Sequence, residues 1–275
     1  MSLTTWLALA AYLAASAIAI RLGLAARPRS QHWLDHLGEL RGRIVHAGLA
    51  WLLATILFFT FHVDDGIRVS VHASLAAQAF TAMQHNLLPD TVQLIVVRPI
   101  DGFLAQLTLA VGLAGITTAP IWVSQLAGFI TPALRQQERR AIRNAVAPVA
   151  ALFVAGAAFA FLFVIPFLLR ALYGYGTALN AQPLLQVSEF VGFVVGLMMV
   201  MGIAFQTPIV MYALTSAGLV EPQTWRKGWR IAVLVILVAS AMVTDPTIVS
   251  QLMVAGPLFV LYGLGILLTI KPTSR

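Results

Sequence analysis

The segment that separates two long apolar runs of this chain reads FITPALRQQERR, residues 129–140. It carries three cations and one acid, Glu138, which directly precedes two arginines. A second acid, Glu39, lies in a similar setting upstream, within the segment HLGELRGR of residues 36–43. Basic loops are expected at the ends of membrane helices, because lysine and arginine fix the orientation of the chain. Two acids inside such basic segments therefore need a separate explanation.

The composition is that of a protein with several membrane-spanning helices. Of its 275 residues, 60% are hydrophobic and only 10% are charged, and the mean hydropathy is +0.89. A soluble domain has roughly a quarter charged residues. The apolar runs are about 20 residues long and short polar loops separate them, which favours helices over a barrel. The chain has 0 cysteines, which excludes disulfides, thiolate metal sites and thiol nucleophiles.

The sequence carries no motif of nucleotide-driven or covalent chemistry. A glycine-rich phosphate loop with lysine does not occur, which argues against a nucleotide motor. His32 and His36 are spaced as i and i+4, but no third ligand accompanies them, so we predict no metal site. We find no set of Ser, His and acid, and we predict neither an enzyme nor a cofactor. Loop cations explain the net charge of +7, so no nucleic acid is predicted as a partner.

Seven apolar segments are candidates for membrane-spanning helices, which predicts an all-α polytopic protein. One of them, residues 231–243, is short for a crossing. A short surface helix is predicted at residues 70–86. The seven segments are residues 3–20, 44–61, 102–124, 144–169, 187–214, 231–243 and 247–270.

The cations predict the orientation in the membrane. Alternate loops together with the C-terminus hold 14 of the 17 lysines and arginines, and that side is predicted to be cytoplasmic. Seven spans with the N-terminus outside satisfy every loop. Six spans with a cleaved or surface-lying N-terminal segment are the alternative.

Residues 1–31 are predicted to form an extra N-terminal transmembrane or anchor segment with a basic linker, and residues 32–275 the membrane domain. No lysine or arginine precedes the first apolar run, so an uncleaved span is favoured. A cleaved secretory signal, with small residues at 15–17, is the other interpretation.

Prolines and glycines recur in the spans. The prolines are consistent with ordinary tolerance in membrane helices or with a curved, concave bundle. The glycines allow close approach of helices within one chain or between copies. The prolines are Pro120, Pro148, Pro166, Pro208 and Pro257, and the glycines are Gly192, Gly196 and Gly202.

The two acids have a local and a functional interpretation. Locally, Glu39 pairs with Arg43 at i, i+4 near a helix start, which together contributes about 0.5–1 kcal/mol. Glu138 would likewise make a surface ion pair. Functionally, two carboxylates on one surface would form a receptor for guanidinium groups, because arginine binds carboxylates in a planar, bidentate geometry that lysine cannot copy.

Five parts of the sequence resemble, in the same order, motifs of the TatC family, the receptor subunits of the twin-arginine (Sec-independent) protein translocase. The resemblance covers residues 32 to about 270 and all six helices of the family. The matching segments are HLGELRGR at 36–43, PIDGF at 99–103, APIWVSQLAGFITPAL at 119–134 with ERR at 138–140, FQTP at 205–208 and TDP at 244–246.

The resemblance implies a glove-shaped bundle of six helices with two short final helices, plus the extra N-terminal hydrophobic helix. It implies a receptor in a cell inner membrane, or an organellar energy-converting membrane, that recognises paired arginines in the signal peptides of folded cargo. Export would be driven by the proton-motive force. The implied partners are single-span subunits of the TatA and TatB type, docked along the fourth and fifth helices, and further copies in an oligomer. The implied signal-peptide-binding residues are Glu39, Arg41, Phe129, Pro132, Leu134 and Glu138.

The sequence departs from the family pattern at Gln206, where the family often has a glutamate in the fourth helix. Glutamine keeps the hydrogen bonding but cannot ionise, which puts any proton-linked role there in doubt. An intramembrane polar residue is nevertheless expected to be functional. The second departure is the added N-terminal span. A TatC-like structural subunit of another membrane complex, without export activity, is therefore the alternative function.

Overall fold

The apolar runs fold into helices, because a backbone inside a bilayer must satisfy its hydrogen bonds within its own segment. A computed structural model describes residues 33–63, 67–69, 74–89, 92–130, 136–178, 184–216, 218–244 and 247–270. The predicted N-terminal span and its linker lie outside the described residues, so the division of the chain at residue 31 stays a prediction.

Ten α-helices, one π-helical turn and four short strands make up the described residues. The helices are α1 (Trp33–Thr60), α2 (Leu75–Leu87), α3 (Asp101–Ile130), α4 (Gln136–Phe159), α5 (Ile165–Ala178), α6 (Val187–Ala204), α7 (Thr207–Ser216), α8 (Pro222–Lys227), α9 (Trp229–Val243) and α10 (Ile248–Ile270). The π-helical turn is Ala160–Val164, and the strands are β1 (Phe61–Val63), β2 (Ile67–Val69), β3 (Gln93–Ile95) and β4 (Leu184–Gln186).

Five segments of the described chain are long and apolar enough to cross a membrane, which confirms the prediction of a multi-span helical protein. The short helix α9 has 15 residues, about 22 Å at 1.5 Å per residue, against a hydrocarbon core of roughly 30 Å. A sixth crossing by α9, and with it the number of spans, stays a prediction. The five segments are Gly38–Thr60, Asp101–Phe129, Val146–Gly174, Val187–Ser216 and Ile248–Ile270.

The final pair of helices differs from the prediction of two short ones. Only α9 is short, whereas α10 runs for 23 residues. Pro257 lies inside this helix, which is continuous. Membrane helices tolerate an interior proline because neighbouring groups satisfy the backbone that it frees.

The all-α prediction is confirmed, and the loops add two small pairs of strands. Strand β1 pairs antiparallel with β2, with Phe61 opposite Val69 and Val63 opposite Ile67. Strand β3 pairs with β4 in a second two-stranded sheet. Three-residue strands carry too weak a pattern to be predicted, and they form because loop backbone groups also need hydrogen-bond partners.

The span predicted at residues 187–214 is interrupted between α6 and α7 by a turn at Phe205 and Gln206. Pro208 has no N–H to donate to the carbonyl four residues earlier, that of Ala204. The hydroxyl of Thr207 donates to this carbonyl oxygen instead, at 2.6 Å. The proline therefore does end a helix here, and a threonine side chain replaces the lost backbone bond.

The described residues belong to two compact units. Unit 1 comprises the chain up to Asn86 together with Val96–Ala151 and Gln186–Val195. Unit 2 comprises Leu87–Ile95, Leu152–Leu185 and the chain from Gly196 onward. Helices α4 and α6 each contribute residues to both units.

In unit 1, α1 packs along α3 through aromatic side chains. The indole N–H of Trp51 donates to the carbonyl of Val111 at 3.1 Å. The same indole meets Trp122 edge-on, with ring centres 6.4 Å apart. Phe59 and Phe103 make a second edge contact at 5.6 Å. These contacts fix the helix pair that carries the candidate site.

The start of α3 is held by Asp101, whose side chain is fully buried. Its carboxylate accepts from the backbone N–H of Arg98 at 2.8 Å and from the guanidinium of Arg98 at 2.9–3.0 Å. The side-chain amide of Gln186 donates to the same carboxylate at 2.8 Å. One acid thus joins the start of α3 to the end of β4.

Replacing Asp101 by Ala is expected to lower the thermal unfolding temperature of the protein by several degrees. The variant leaves the backbone N–H of Arg98 and the amide of Gln186 without their buried acceptor, which is the costly way to lose a hydrogen bond. Glu189→Ala removes an exposed acid and is the matched control, with little expected change. Thermal unfolding in detergent compares them, and equal shifts would contradict this role of Asp101.

In unit 2, α10 packs against α7, α8 and α9. The amide of Gln251 donates to the carbonyl of Leu237 on α9 at 2.9 Å. The hydroxyl of Tyr262 donates to the carbonyl of Trp225 on α8 at 2.7 Å. These bonds tie the basic loop after α7 and the short helix α9 to α10.

The glycines of α6 differ from one another in their surroundings. A Cβ atom on Gly192 or Gly196 would meet nothing within 4 Å. A Cβ atom on Gly202 would lie 2.9 Å from the ring of Phe153 on α4. Close helix approach therefore occurs at one of the three predicted positions, because the rotation of a helix against its neighbours decides which glycines face them.

Candidate functional site

A shallow, open groove lies between the N-terminal half of α1 and the C-terminal end of α3, within unit 1. Each helix contributes four residues spaced as i, i+3, i+4 and i+7, which is one face of an α-helix. The groove is mostly apolar, and its one charged lining residue is Arg43. Its lining residues are Leu40, Arg43, Ile44 and Ala47 on α1, and Trp122, Gln125, Leu126 and Phe129 on α3.

An acid and an arginine pair at the rim of this groove. The Nη2 and Nε atoms of Arg43 donate to the Oε1 atom of Glu39 at 2.7 and 3.1 Å. The Arg43 side chain is only 8% exposed, whereas the Glu39 side chain is 27% exposed. The predicted local pair is therefore confirmed, and it leaves the carboxylate closer to the surface than the guanidinium.

Arg41 and Arg43 lie on different faces of α1. Two residues correspond to about 200° of rotation on an α-helix. Arg41 is accordingly exposed, while Arg43 is buried against the groove. Of the predicted site residues, Phe129 therefore lines the groove and Glu39 lies at its rim, bonded to Arg43.

The remaining acid of the predicted site is only partly described. Glu138 lies in the first turn of α4, where a carboxylate is favoured by the helix dipole, and its side chain is outside the description. Pro132 and Leu134 lie outside the described residues. The meeting of Glu39 and Glu138 at one site therefore stays a prediction.

Gln206, in unit 2, lies at the turn between α6 and α7. Its amide Nε2 donates to the carbonyl of Gly202 at 3.2 Å. Its Oε1 atom is buried and has no hydrogen-bond partner in the described part of the chain. A buried acceptor without a donor is costly, so we expect a water or a group beyond the described residues to donate a hydrogen bond to this oxygen.

Sequence reasoning missed most of the groove wall. Trp122, Gln125 and Leu126 were part of the quoted family motif but were not assigned a role. Their helical spacing with Phe129 is the signal that could have found them. For metals, the described residues contain no group of three or more His, Cys, Asp or Glu side chains, so no ligand set is offered.

The fold is that of a polytopic α-helical membrane protein, with a shallow apolar groove at one end of a helix pair. A family profile described as "Sec-independent protein translocase protein (TatC)" matches residues 35–257. The chain belongs to the TatC family, whose members are components of a protein translocase.

Relatives and solved structures agree with this assignment. The TatC of Cenarchaeum symbiosum is 36% identical over 242 residues, covering 84% of this chain and 91% of the relative. The TatC of Aquifex aeolicus is 30% identical over 237 residues, covering 85% and 92%. A crystal structure described as the twin-arginine translocase receptor TatC matches with a TM-score of 0.70 and 30% identity, covering 86% of this chain and 98% of that chain.

Proposed function

We propose that this chain is the signal-peptide receptor and core subunit of a twin-arginine protein translocase, which exports folded proteins across a membrane. The family assignment supports the role in protein transport, and the matched crystal structures are named as twin-arginine translocase receptors. A structural subunit without export activity is not favoured, because a scaffold does not need an accessible carboxylate beside an apolar groove.

The observation that carries the proposal is the contact between Glu39 and a guanidinium at the rim of the groove. Glu39 accepts two hydrogen bonds from Arg43, which is the kind of contact that an arginine of a signal peptide would make. The apolar groove next to it suits the hydrophobic part of a signal peptide. In this proposal Glu138, Pro132 and Leu134 complete the site from the segment after α3, and Arg41 borders it.

The proposed setting is a cell inner membrane, or an equivalent organellar membrane, with the C-terminus in the cytoplasm. The concentration of 14 of 17 lysines and arginines on one predicted side supports this orientation. Transport would use the proton-motive force. Single-span subunits of the TatA and TatB type would dock along the fourth and fifth helices of the family, where the Oε1 atom of Gln206, which has no donor among the described residues, would accept a hydrogen bond.

Photocrosslinking tests the location of the site. A signal peptide with two arginines and a photoreactive residue beside them should crosslink to residues 39–47 and 122–129 of the full chain in lipid nanodiscs. A peptide with two lysines in their place should crosslink at background level, because lysine cannot make the bidentate contact. Crosslinks that fall elsewhere, or equal yields from both peptides, would contradict the proposal.

A further inference from the structure

The guanidinium of Arg43 occupies one side of the carboxylate that the proposed function assigns to the signal peptide. Its Nη2 and Nε atoms lie 2.7 and 3.1 Å from the same oxygen, Oε1 of Glu39. An ordinary surface pair of this spacing is exposed on both sides and contributes little. Here the Arg43 side chain is only 8% exposed, and Arg43 lines the groove together with Trp122 and Phe129.

The Arg43 guanidinium contacts Glu39 in the way that the guanidinium of a bound ligand would. Two charge-assisted bonds reach Glu39 from the groove side, the side on which a peptide inserted in the groove would lie. A peptide arginine at Glu39 would therefore need the same oxygen, or the space beside it, that Arg43 holds. The chain thus carries its own arginine at the position of the proposed ligand's arginine.

We propose that Arg43 is an internal occupant of the guanidinium site, which a signal-peptide arginine must displace from Glu39 before it binds. This inference rests on the proposed function, in which Glu39 receives that arginine. The receptor with Arg43 bound to Glu39 is a competing state. The apparent affinity for the peptide is therefore the intrinsic affinity multiplied by the fraction of molecules in which Glu39 is open.

The internal arginine lowers the affinity for every peptide at this site by the same factor, whereas selectivity depends on the shape of the peptide's contact with Glu39. When a peptide arginine replaces Arg43, both bonds to Glu39 are made again by a group of the same shape. A peptide lysine offers a single ammonium group and cannot reproduce the Nε and Nη2 pair. Arg43 therefore leaves the ratio of the two peptide affinities unchanged, and the preference for arginine comes from the contact with Glu39 itself.

The decisive variant is Arg43→Lys, which keeps the charge and removes the planar fork. We expect it to bind a twin-arginine peptide about 3- to 10-fold more tightly than the wild type. This range lies between two reference values: losing an exposed ion pair changes an equilibrium roughly twofold, and losing a charged hydrogen bond changes it more than about tenfold. The ratio of the affinities for arginine and lysine peptides should stay the same, because the competitor lowers both affinities by one factor. Arg43→Gln, which removes the competitor fully, should show a larger gain in affinity.

The experiment measures binding of the twin-arginine and twin-lysine peptides to the full chain in nanodiscs, with thermal unfolding as a check that each variant is folded. Arg226→Lys is the matched control, because this exposed arginine lies in the short helix α8, outside the groove, and it should change neither affinity nor selectivity. Should Arg43→Gln not fold, the charge-preserving Arg43→Lys variant still decides the question.

The outcomes separate this inference from the proposed function. If the wild type does not prefer the twin-arginine peptide, the proposed function fails. If the wild type prefers it and Arg43→Lys binds more weakly, Arg43 orients Glu39 and does not compete with the peptide, so the inference is wrong. If Arg43→Lys binds the peptide with unchanged affinity, the pair has only a structural role, whether or not the variant is less stable. That result also overturns the inference.

Discussion

The Glu39→Gln variant is expected to bind a twin-arginine peptide about 10- to 150-fold more weakly than the wild type. Glutamine keeps the size of the side chain but removes the negative charge, and a hydrogen bond to a charged group contributes about 1.5–3 kcal/mol. The Glu39 side chain is 27% exposed, so solvent screens this contact only in part. Peptide titration of the full chain in nanodiscs measures the change.

The control for this prediction is Glu221→Gln, which removes an exposed acid from the loop before α8. It lowers the negative charge by the same amount on the same predicted side of the membrane, and it should leave the affinity nearly unchanged. The expected loss in Glu39→Gln should also be larger for the twin-arginine than for the twin-lysine peptide. An equal loss for both peptides would mean that Glu39 acts only through the overall charge.

Replacing Gly156 by Ala is expected to destabilise the protein by about 1–3 kcal/mol, the usual cost of forcing an extra group into a packed interior. A Cβ atom on this residue of α4 would lie 2.6 Å from the carbonyl oxygen of Met201 on α6 and 2.8 Å from the ring of Phe205. A backbone oxygen cannot rotate away as a side chain can. The two helices would therefore have to separate within unit 2.

The matched control is Gly196→Ala on α6, the helix that α4 contacts at Gly156. A Cβ atom there meets nothing within 4 Å, and alanine has a higher helix propensity than glycine by roughly 1 kcal/mol. This variant should be neutral or slightly stabilising in thermal unfolding experiments, while Gly156→Ala unfolds at a clearly lower temperature. Similar unfolding temperatures for the two variants would show that the α4–α6 contact is looser than described.

The spans could be predicted because hydrophobicity measures what the bilayer requires. The ends of the helices could not, because they continue beyond the apolar run. Helix α3 extends past the predicted end at Ser124 to Ile130, and these added turns supply three of the four α3 residues that line the groove. Helix α4 begins at Gln136, eight residues before the predicted Asn144, in a charged segment that has no hydrophobic signal.

The candidate site could be predicted in part. The spacing of Glu39 and Arg43 predicted their pair, because residues four apart share one face of a helix. The burial of Arg43 could not be predicted, because it depends on Trp122 and Phe129, which are distant in the sequence and meet α1 only in the folded chain. The acids were assigned their role through the family motifs, since their spacing alone was equally consistent with local ion pairs.

The central claim is that this chain recognises paired arginines, and the most direct test is the affinity of the wild-type protein for two signal peptides. The peptides differ only in carrying Arg-Arg or Lys-Lys, and the full chain is held in nanodiscs. Recognition by a planar carboxylate contact predicts that Arg-Arg binds at least about 10-fold more tightly. Equal affinities, or no binding of either peptide, would contradict the account.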